Sequence, residues 1–382
     1  MVEHVESPVH RVLMDEVDWS QRLIGIKGSR GVGKTTFLLE YAKRNFATDN
    51  SCLYINLNNF YFTDRTLIDF ADEFHKKGGK TLLIDQIFKY PNWSKELRYC
   101  YDHFPDLKIV FTGSSVMRLK EENPDLRGCV DSYILRGFSF REYVNLMAGA
   151  DFPPILLDDI IADHEKITAK ITSQIRPFAY FQNYLHHGYY PFFLEKRNYS
   201  ENLVKTINMT LEIDILLLKQ IELRYLPKIR KLLYLLASNV PNAPNVSQLS
   251  ADIQTSRATV MNYIKYLQDA RLLNILYPVN ESFPKKPDKV YLQNTNLMYA
   301  FQPVKVEEQT LRETFFYNAV NRYHRVNKGL KNAQFLVGEQ YNFKIQNKGD
   351  KVKSNSDYYY AVDMIEKGSG KEIPLWLFGF LY

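Results

Sequence analysis

The spacing of apolar residues predicts a parallel α/β sheet in the first part of the chain. Leu23 to Ile26 form a short apolar strand, and an amphipathic helix begins at about Lys34. Two further runs, KTLLID at residues 80–85 and LKIVFTGSS at residues 107–115, are typical of buried strands. Both end in polar residues, which this arrangement places at the carboxyl edge of the sheet, where ligands bind in such folds.

The remainder of the chain is divided by pattern into three parts. With residues 1–150 as the first domain, residues 151–225 alternate apolar and charged positions at helical spacing and are predicted to form a helical lid. Residues 226–282 are predicted to contain two helices followed by a strand, the pattern of a winged helix. Ser247 and Thr255 are the expected N-caps of the two helices. Residues 283–382 are predicted to form a small mixed α/β domain that ends in a buried aromatic strand, PLWLFGFLY.

Composition restricts the protein class without deciding the function. The 382 residues are 45% hydrophobic and 24% charged, as in ordinary globular proteins, and the net charge of +6 permits an anionic partner without arguing for one. The three cysteines are far apart, which favours a reducing cytosol over a disulfide framework. No apolar run approaches the length of a membrane span, and the N-terminal stretch lacks the apolar core of a signal peptide, so a cytoplasmic protein without a membrane partner is expected.

A complete phosphate-binding motif, GxxxxGK[ST], lies between the first strand and its helix. Glycines allow the backbone N–H groups to converge on phosphate oxygens, and the helix directs its positive end to the same point. Lys34 is expected to reach the β- and γ-phosphates, and the Thr35 hydroxyl to ligate Mg²⁺. The predicted nucleotide-binding residues are Gly28, Ser29, Arg30, Gly31, Val32, Gly33, Lys34, Thr35 and Thr36.

The second half of the site is predicted at the ends of the two later strands. Asp85 ends KTLLID, where a carboxylate would help to hold Mg²⁺. Gln86 follows it, at a position suited to a residue that handles the attacking water. Thr112 is a candidate for sensing the γ-phosphate or that water. Alternatively, its hydroxyl only caps the end of the strand.

With these motifs placed, the chain resembles the AAA-type P-loop ATPases of a bacterial and archaeal family with a C-terminal domain of uncharacterised function. The resemblance lies in IKGSRGVGKTT, LLIDQIFKYPNWSKEL, IVFTGSS, FSFREY, HHGYYPFF, TNLMYA, LRETFF and PLWLFGFLY. It implies binding of ATP or ADP with Mg²⁺, a helical lid and a winged helix. It also implies that Pro191 touches adenine, as in the related signal-transduction ATPases, and that the last domain is a degenerate endonuclease-like core, with Gln334 and Lys344 at the positions where catalysis needs metal-binding carboxylates.

Three departures from the family pattern bear on the expected activity. Relatives carry a glutamate where this chain has Gln86, and a histidine where it has Phe88. A glutamine cannot accept a proton, so hydrolysis is expected to be slow. Relatives carry an arginine pair before FSFREY, and only Arg127 remains of it here. Arg127 is either an arginine finger or an ordinary surface charge, and the sequence does not favour the finger.

The sequence leaves several functions open. The preferred hypothesis is a nucleotide-dependent conformational switch with an unknown protein partner or self-association. The alternatives are an oligomeric ATPase motor and a DNA-binding regulator that exposes Arg257, Lys265 and Arg271 on its winged helix. The NKGD at residues 347–350 matches a guanine-reading motif but lies far from the phosphate loop and is interpreted as a turn, so adenine is favoured.

Overall fold

The computed structural model describes residues 2–5, 7–46, 49–195, 198–301, 306–350 and 357–382. The chain divides into two compact units. The first consists of Met1–Gly137 with Leu217–Lys219, and the second of Phe138–Leu216 with Gln220–Tyr382. The four-part division expected from the sequence stays a prediction.

The first unit is a sheet of five strands with helices between them. Its helices and strands in chain order are α1 (Leu13–Glu16), β1 (Leu23–Gly28), α2 (Lys34–Asn45), β2 (Cys52–Asn56), α3 (Leu67–Lys76), β3 (Thr81–Asp85), α4 (Trp93–His103), β4 (Lys108–Ser114) and β5 (Asp131–Ile134).

All neighbouring strands of this sheet run parallel, in the order β2-β3-β4-β1-β5. The three central strands are the apolar runs identified in the sequence, and every residue of β3 is buried. Since β1, β3 and β4 lie side by side in the sheet, their carboxyl ends meet at one edge. The predicted P-loop fold is confirmed, and its motifs lie at that edge.

The second unit begins with helices, including two single π-helical turns, Tyr184–Gly188 and Thr210–Ile215. Its α-helices are α5 (Phe140–Ala148), α6 (Leu157–Thr172), α7 (Phe178–Asn183), α8 (Tyr199–Met209), α10 (Leu226–Ala237), α11 (Val246–Asp252), α12 (Arg257–Asp269), α13 (Thr295–Phe301) and α14 (Glu308–Val320). The short helix α9 (Leu216–Leu218) begins in the second unit, and its last two residues belong to the first. The segment predicted as a lid is therefore helical, and its role as a lid stays a prediction.

Two sheets complete the second unit. The strands are β6 (Leu273–Leu276), β7 (Lys289–Leu292), β8 (Val326–Lys328), β9 (Phe335–Val337), β10 (Tyr341–Asn347), β11 (Tyr359–Asp363) and β12 (Glu372–Pro374). Strands β6 and β7 form an antiparallel pair after α11 and α12, and the winged-helix assignment stays a prediction. The other five lie in the order β12-β11-β10-β9-β8 with both parallel and antiparallel pairs. Together with α13 and α14 they give the C-terminal part of the chain the expected mixed α/β composition.

Three local expectations are wrong. Helix α11 is capped by Asn245 rather than Ser247, and α12 by Ser256 rather than Thr255. The side chains of Asn245 and Ser256 accept hydrogen bonds from backbone N–H groups in the first turn of their helices. The C-terminal aromatic run is buried as expected, but Leu375–Phe380 is a 3₁₀-helix rather than a strand. A uniformly apolar run carries no periodicity from which its conformation could be predicted.

Within the described ranges, no helix is long and apolar enough to cross a bilayer.

Candidate nucleotide-binding site

The phosphate loop connects the end of β1 to the start of α2. Gly33 has a φ of 92°, a left-handed conformation that glycine adopts without strain, and it is the residue immediately before the helix. Helix α2 then begins at Lys34, with no acidic residue in its first turn. The first-turn N–H groups and the positive dipole end of this helix favour an anion at the loop.

The Lys34 ammonium lies over the loop. Its Nζ atom donates to the carbonyl oxygens of Gly28, at 2.9 Å, and Ser29, at 2.8 Å. The side chain is thus held at the loop rather than extended into solvent. This is the position from which a cation can exchange carbonyl partners for phosphate oxygens.

The other predicted loop residues differ in exposure. Ser29 and Val32 are buried, Arg30 and Gly31 are half-buried, and Thr36 is exposed on the first turn of α2. The backbone of this loop forms the phosphate site in such folds, so buried side chains are compatible with binding.

The buried carboxylate of Asp85 accepts hydrogen bonds from three hydroxyl groups. Thr35 Oγ1 donates to Oδ2 at 2.7 Å, Tyr54 donates to the same oxygen at 2.9 Å, and Thr112 donates to Oδ1. The sequence separates Thr35 from Asp85 by fifty residues, and the fold brings them into contact. A hydroxyl and a carboxylate side by side are oxygen ligands of the kind that Mg²⁺ prefers, so the residues fit this ion.

Tyr54 was not identified from the sequence. It lies on β2, which pairs with β3 so that Asn56 is opposite Asp85. Burial and the neighbouring Asp85 raise the pKa of the Tyr54 phenol, which keeps it protonated as a donor. The sequence signal for Tyr54 was weak: CLYIN alternates apolar and other residues over a short stretch. The strand it forms is partly exposed.

Gln86 and Thr112 are joined through the backbone. The Gln86 N–H donates to Thr112 Oγ1 at 2.9 Å, and Gln86 has a left-handed φ of 54°. Thr112 is fully buried, so its hydroxyl contacts Asp85 and Gln86 from inside the sheet. This geometry gives Thr112 a positioning role towards both residues, and its role as a phosphate sensor stays a prediction.

Pro191 lies in the second unit, at the start of a 3₁₀-helix that spans Pro191–Glu195. The turn before it is fixed by the buried amide of Asn296. Its Oδ1 atom accepts from the Tyr189 N–H at 2.9 Å and the Tyr199 hydroxyl at 2.6 Å, and its Nδ2 atom donates to the carbonyls of Tyr184 and Leu185. The sequence motifs HHGYYPFF and TNLMYA are therefore joined by one side chain, although Tyr189 and Asn296 are 107 residues apart in the chain.

The two positions at which the resemblance implies a degenerate nuclease centre carry an amide and a cation, Gln334 and Lys344. Gln334 Oε1 accepts from the Ile345 N–H at 3.4 Å, and the Lys344 ammonium lies 4.5 Å from the centre of the Tyr358 ring. The Asp363 carboxylate is paired with Arg312 at 2.9 Å. Among the described residues, no three His, Cys, Asp or Glu side chains are grouped so that they could hold a metal ion.

Two family models match parts of this chain. Residues 20–144 match the family model of an AAA domain. This part of the chain is similar to AAA domains. Residues 179–308 match a second family model, a domain of unknown function (DUF8612), which includes both the Pro191 turn and Asn296.

A curated relative is the uncharacterized protein MJ1637 of Methanocaldococcus jannaschii. It is 28% identical over 285 residues, which cover 70% of this chain and 59% of the relative. The match thus spans less than two thirds of that protein's length. Any activity of the whole relative is therefore only a proposal for this chain.

Three solved structures are distant neighbours of this chain. The Aeropyrum pernix ORC1 protein in complex with DNA has a TM-score of 0.31 and 11% identity, covering 77% of this chain and 86% of that one. A variant of Thermotoga maritima RuvB has a TM-score of 0.29 and 15% identity, covering 75% and 88%. AMPPCP-bound DnaA from Aquifex aeolicus has a TM-score of 0.27 and 13% identity, covering 68% and 85%. TM-scores this low support no inference about what this chain binds.

Proposed function

We propose that this chain binds Mg·ATP and acts as a nucleotide-dependent conformational switch that hydrolyses ATP slowly. The observation that carries the proposal is the 2.7 Å hydrogen bond between Thr35 and Asp85 at the mouth of the phosphate loop. It brings the two predicted Mg²⁺ ligands together beside the N-terminus of α2. A protein partner or a second copy of this chain, in the cytoplasm, would respond to the nucleotide state.

Each residue of the site has a separate task in this proposal. The loop N–H groups and the start of α2 hold the phosphates, and Lys34 exchanges its carbonyl partners for β- and γ-phosphate oxygens. Thr35 and Asp85 hold Mg²⁺, which neutralises phosphate charge when bound. Pro191 would contact the adenine ring.

Slow hydrolysis follows from the side chain at position 86. An amide can orient a water molecule but cannot remove its proton, and general-base help contributes roughly 10²–10⁴ in rate. Phosphoryl transfer depends more on positioning than on proton removal, so turnover is slowed rather than abolished.

The observations favour this switch over the alternatives. A motor needs an arginine at the transferred phosphate, whereas the exposed Arg127 donates through Nε to the Lys120 carbonyl. In a DNA-binding regulator Lys265 would face phosphates, but it pairs with Asp269 at 2.7 Å. In the NKGD segment, Asp350 accepts from the Asn347 N–H at 2.9 Å, as in a turn, so a guanine-specific site has no support there.

Calorimetric titration with ATP and Mg²⁺ tests the binding claim. Wild-type protein should bind, and Lys34→Ala should remove binding because it deletes the cation at the phosphates. Lys43→Ala is the matched control, since Lys43 lies on the same helix but is exposed and donates to the Val5 carbonyl. Equal affinity of wild-type protein and Lys34→Ala would contradict the site.

A further inference from the structure

A buried arginine outside the phosphate motif connects the loop to the peptide that leads into the second unit. Arg11 is 6% exposed. Its Nη1 atom donates to the Val32 carbonyl at 3.1 Å, and its Nη2 atom donates to the carbonyls of Arg136 and Gly137. Val32 belongs to the phosphate loop, and Gly137 is the last residue of the first unit before the chain continues at Phe138.

A second contact joins the same two segments independently of Arg11. A Cβ atom at Gly28 would lie 2.4 Å from the carbonyl oxygen of Leu135, so the loop backbone packs directly against Leu135. Residues 135–137 are all buried, and the Leu135 N–H donates to the Lys27 carbonyl at 2.8 Å. We call residues 135–137 the connector. It is a packed extension of β5 and not a loose linker.

The residue after the connector is fixed at both of its backbone groups. The Phe138 N–H donates to the Tyr189 carbonyl at 2.8 Å, and the Tyr184 hydroxyl donates to the Phe138 carbonyl at 2.8 Å. Tyr184 begins the π-helical turn that precedes Pro191, and Tyr189 directly follows it. The residue that follows the connector is therefore hydrogen-bonded at both backbone groups to the turn that precedes Pro191.

We propose that Arg11 is a positioning residue that couples the nucleotide state of the phosphate loop to the connector. The inference rests on the proposed function, since it needs ATP to bind at the loop. The guanidinium is a rigid planar fork, so it fixes the carbonyl of Val32 relative to those of Arg136 and Gly137. A shift of the loop backbone on phosphate binding is then passed to the connector, and through the peptide chain to Phe138.

Hydrogen exchange measured by mass spectrometry on the full chain tests this coupling. Saturating ATP with Mg²⁺ should change exchange in wild-type peptides that cover the phosphate loop and in those that cover residues 130–140. In Arg11→Lys, which keeps the charge but loses the fork, the loop peptide should still report bound ATP. The response of the connector peptide should fall by at least half.

Arg22→Lys is the matched control. The Arg22 guanidinium also binds three backbone carbonyls, those of Tyr101, Phe104 and Pro105, but at the opposite end of β1. This variant should lose comparable stability and keep the full connector response. A merely structural role for Arg11 would make the two variants behave alike.

The outcomes separate the inference from the proposed function. If wild-type protein shows no ATP binding at the loop, the proposed function fails and the inference fails with it. If wild-type protein binds ATP but the connector does not respond, or Arg11→Lys retains the whole response, only the coupling is overturned. If Arg11→Lys does not fold, the same exchange experiment is done with Arg11→Gln. A full connector response to ATP in that variant, or no response in wild-type protein, overturns the coupling.

Discussion

The phenol of Tyr54 donates a hydrogen bond of 2.9 Å to Oδ2 of Asp85. The Thr35 hydroxyl donates to the same oxygen, so the tyrosine competes for the carboxylate atom that would support Mg²⁺. We predict that Tyr54→Phe lowers the Mg²⁺ concentration needed for half-maximal ATP binding by about 3- to 10-fold. One hydrogen bond to a charged group is worth about 1.5–3 kcal/mol. Losing the Tyr54 bond frees Asp85 for the metal but also holds the Asp85 carboxylate less firmly, so only part of this energy reaches Mg²⁺ binding. Calorimetry at a series of Mg²⁺ concentrations measures this shift.

The control for that variant is Tyr99→Phe. Tyr99 is in the same unit, 41% exposed and stacked on His103, so its hydroxyl plays no part in the site. The Mg²⁺ requirement of this control should equal that of wild-type protein. An unchanged or increased Mg²⁺ requirement in Tyr54→Phe would contradict the competition between Tyr54 and the metal.

Thr112 offers a test of positioning at the end of β4. The change Thr112→Val preserves volume but removes the hydroxyl that Asp85 and the Gln86 N–H share. Because the half-buried Gln86 N–H loses its acceptor and the buried Asp85 carboxylate loses one donor, we predict a loss of about 1–3 kcal/mol in the free energy of unfolding. Urea denaturation measures the loss, and Thr112→Ser should recover most of it. If valine and serine are equally stable, the hydroxyl contributes nothing.

Contiguous motifs could be predicted from the sequence, whereas the side chains brought to them by tertiary packing could not. The phosphate loop and Asp85 each follow an apolar strand, so a local pattern located them. Tyr54 comes from a partly exposed strand, and Arg11 reaches the loop from outside any motif. Neither residue type is distinctive locally, and only strand order and packing bring them to the site.

Asn296 is predicted to be a major source of stability in the second unit. Its buried amide makes four hydrogen bonds around the turn before Pro191. Asn296→Ala should lower the free energy of unfolding by about 3 kcal/mol or more, because several buried groups lose partners at once. Asn239→Ala is the control, since Asn239 is exposed and donates a side-chain bond to the Leu235 carbonyl, and it should change stability by less than about 0.5 kcal/mol. Equal effects in urea denaturation would refute the assignment.

The C-terminal sheet is predicted to lack nuclease activity. Gln334 and Lys344 cannot replace two metal-binding carboxylates, and Asp363 is neutralised by Arg312 at 2.9 Å. Purified protein incubated with plasmid DNA and Mg²⁺ should therefore leave the DNA intact on an agarose gel. Cleavage by the wild-type protein that Asp363→Ala abolishes would show a nuclease centre in this sheet.

The central claim concerns Gln86, which directly follows Asp85, one of the two proposed Mg²⁺ ligands. A glutamate there could accept the proton of the attacking water, and Gln86 cannot. The change Gln86→Glu should therefore speed hydrolysis while Lys34, Thr35 and Asp85 keep ATP bound with little change in affinity. Gln21→Glu adds the same charge at an exposed position of the first unit and should leave the rate unaltered.

Single-turnover hydrolysis of radiolabelled ATP, with protein in excess, tests this account most directly. The account predicts slow turnover by wild-type protein and a rate at least about tenfold higher for Gln86→Glu, the equivalent of about 1.4 kcal/mol in the barrier. A wild-type rate equal to that of Gln86→Glu would contradict it.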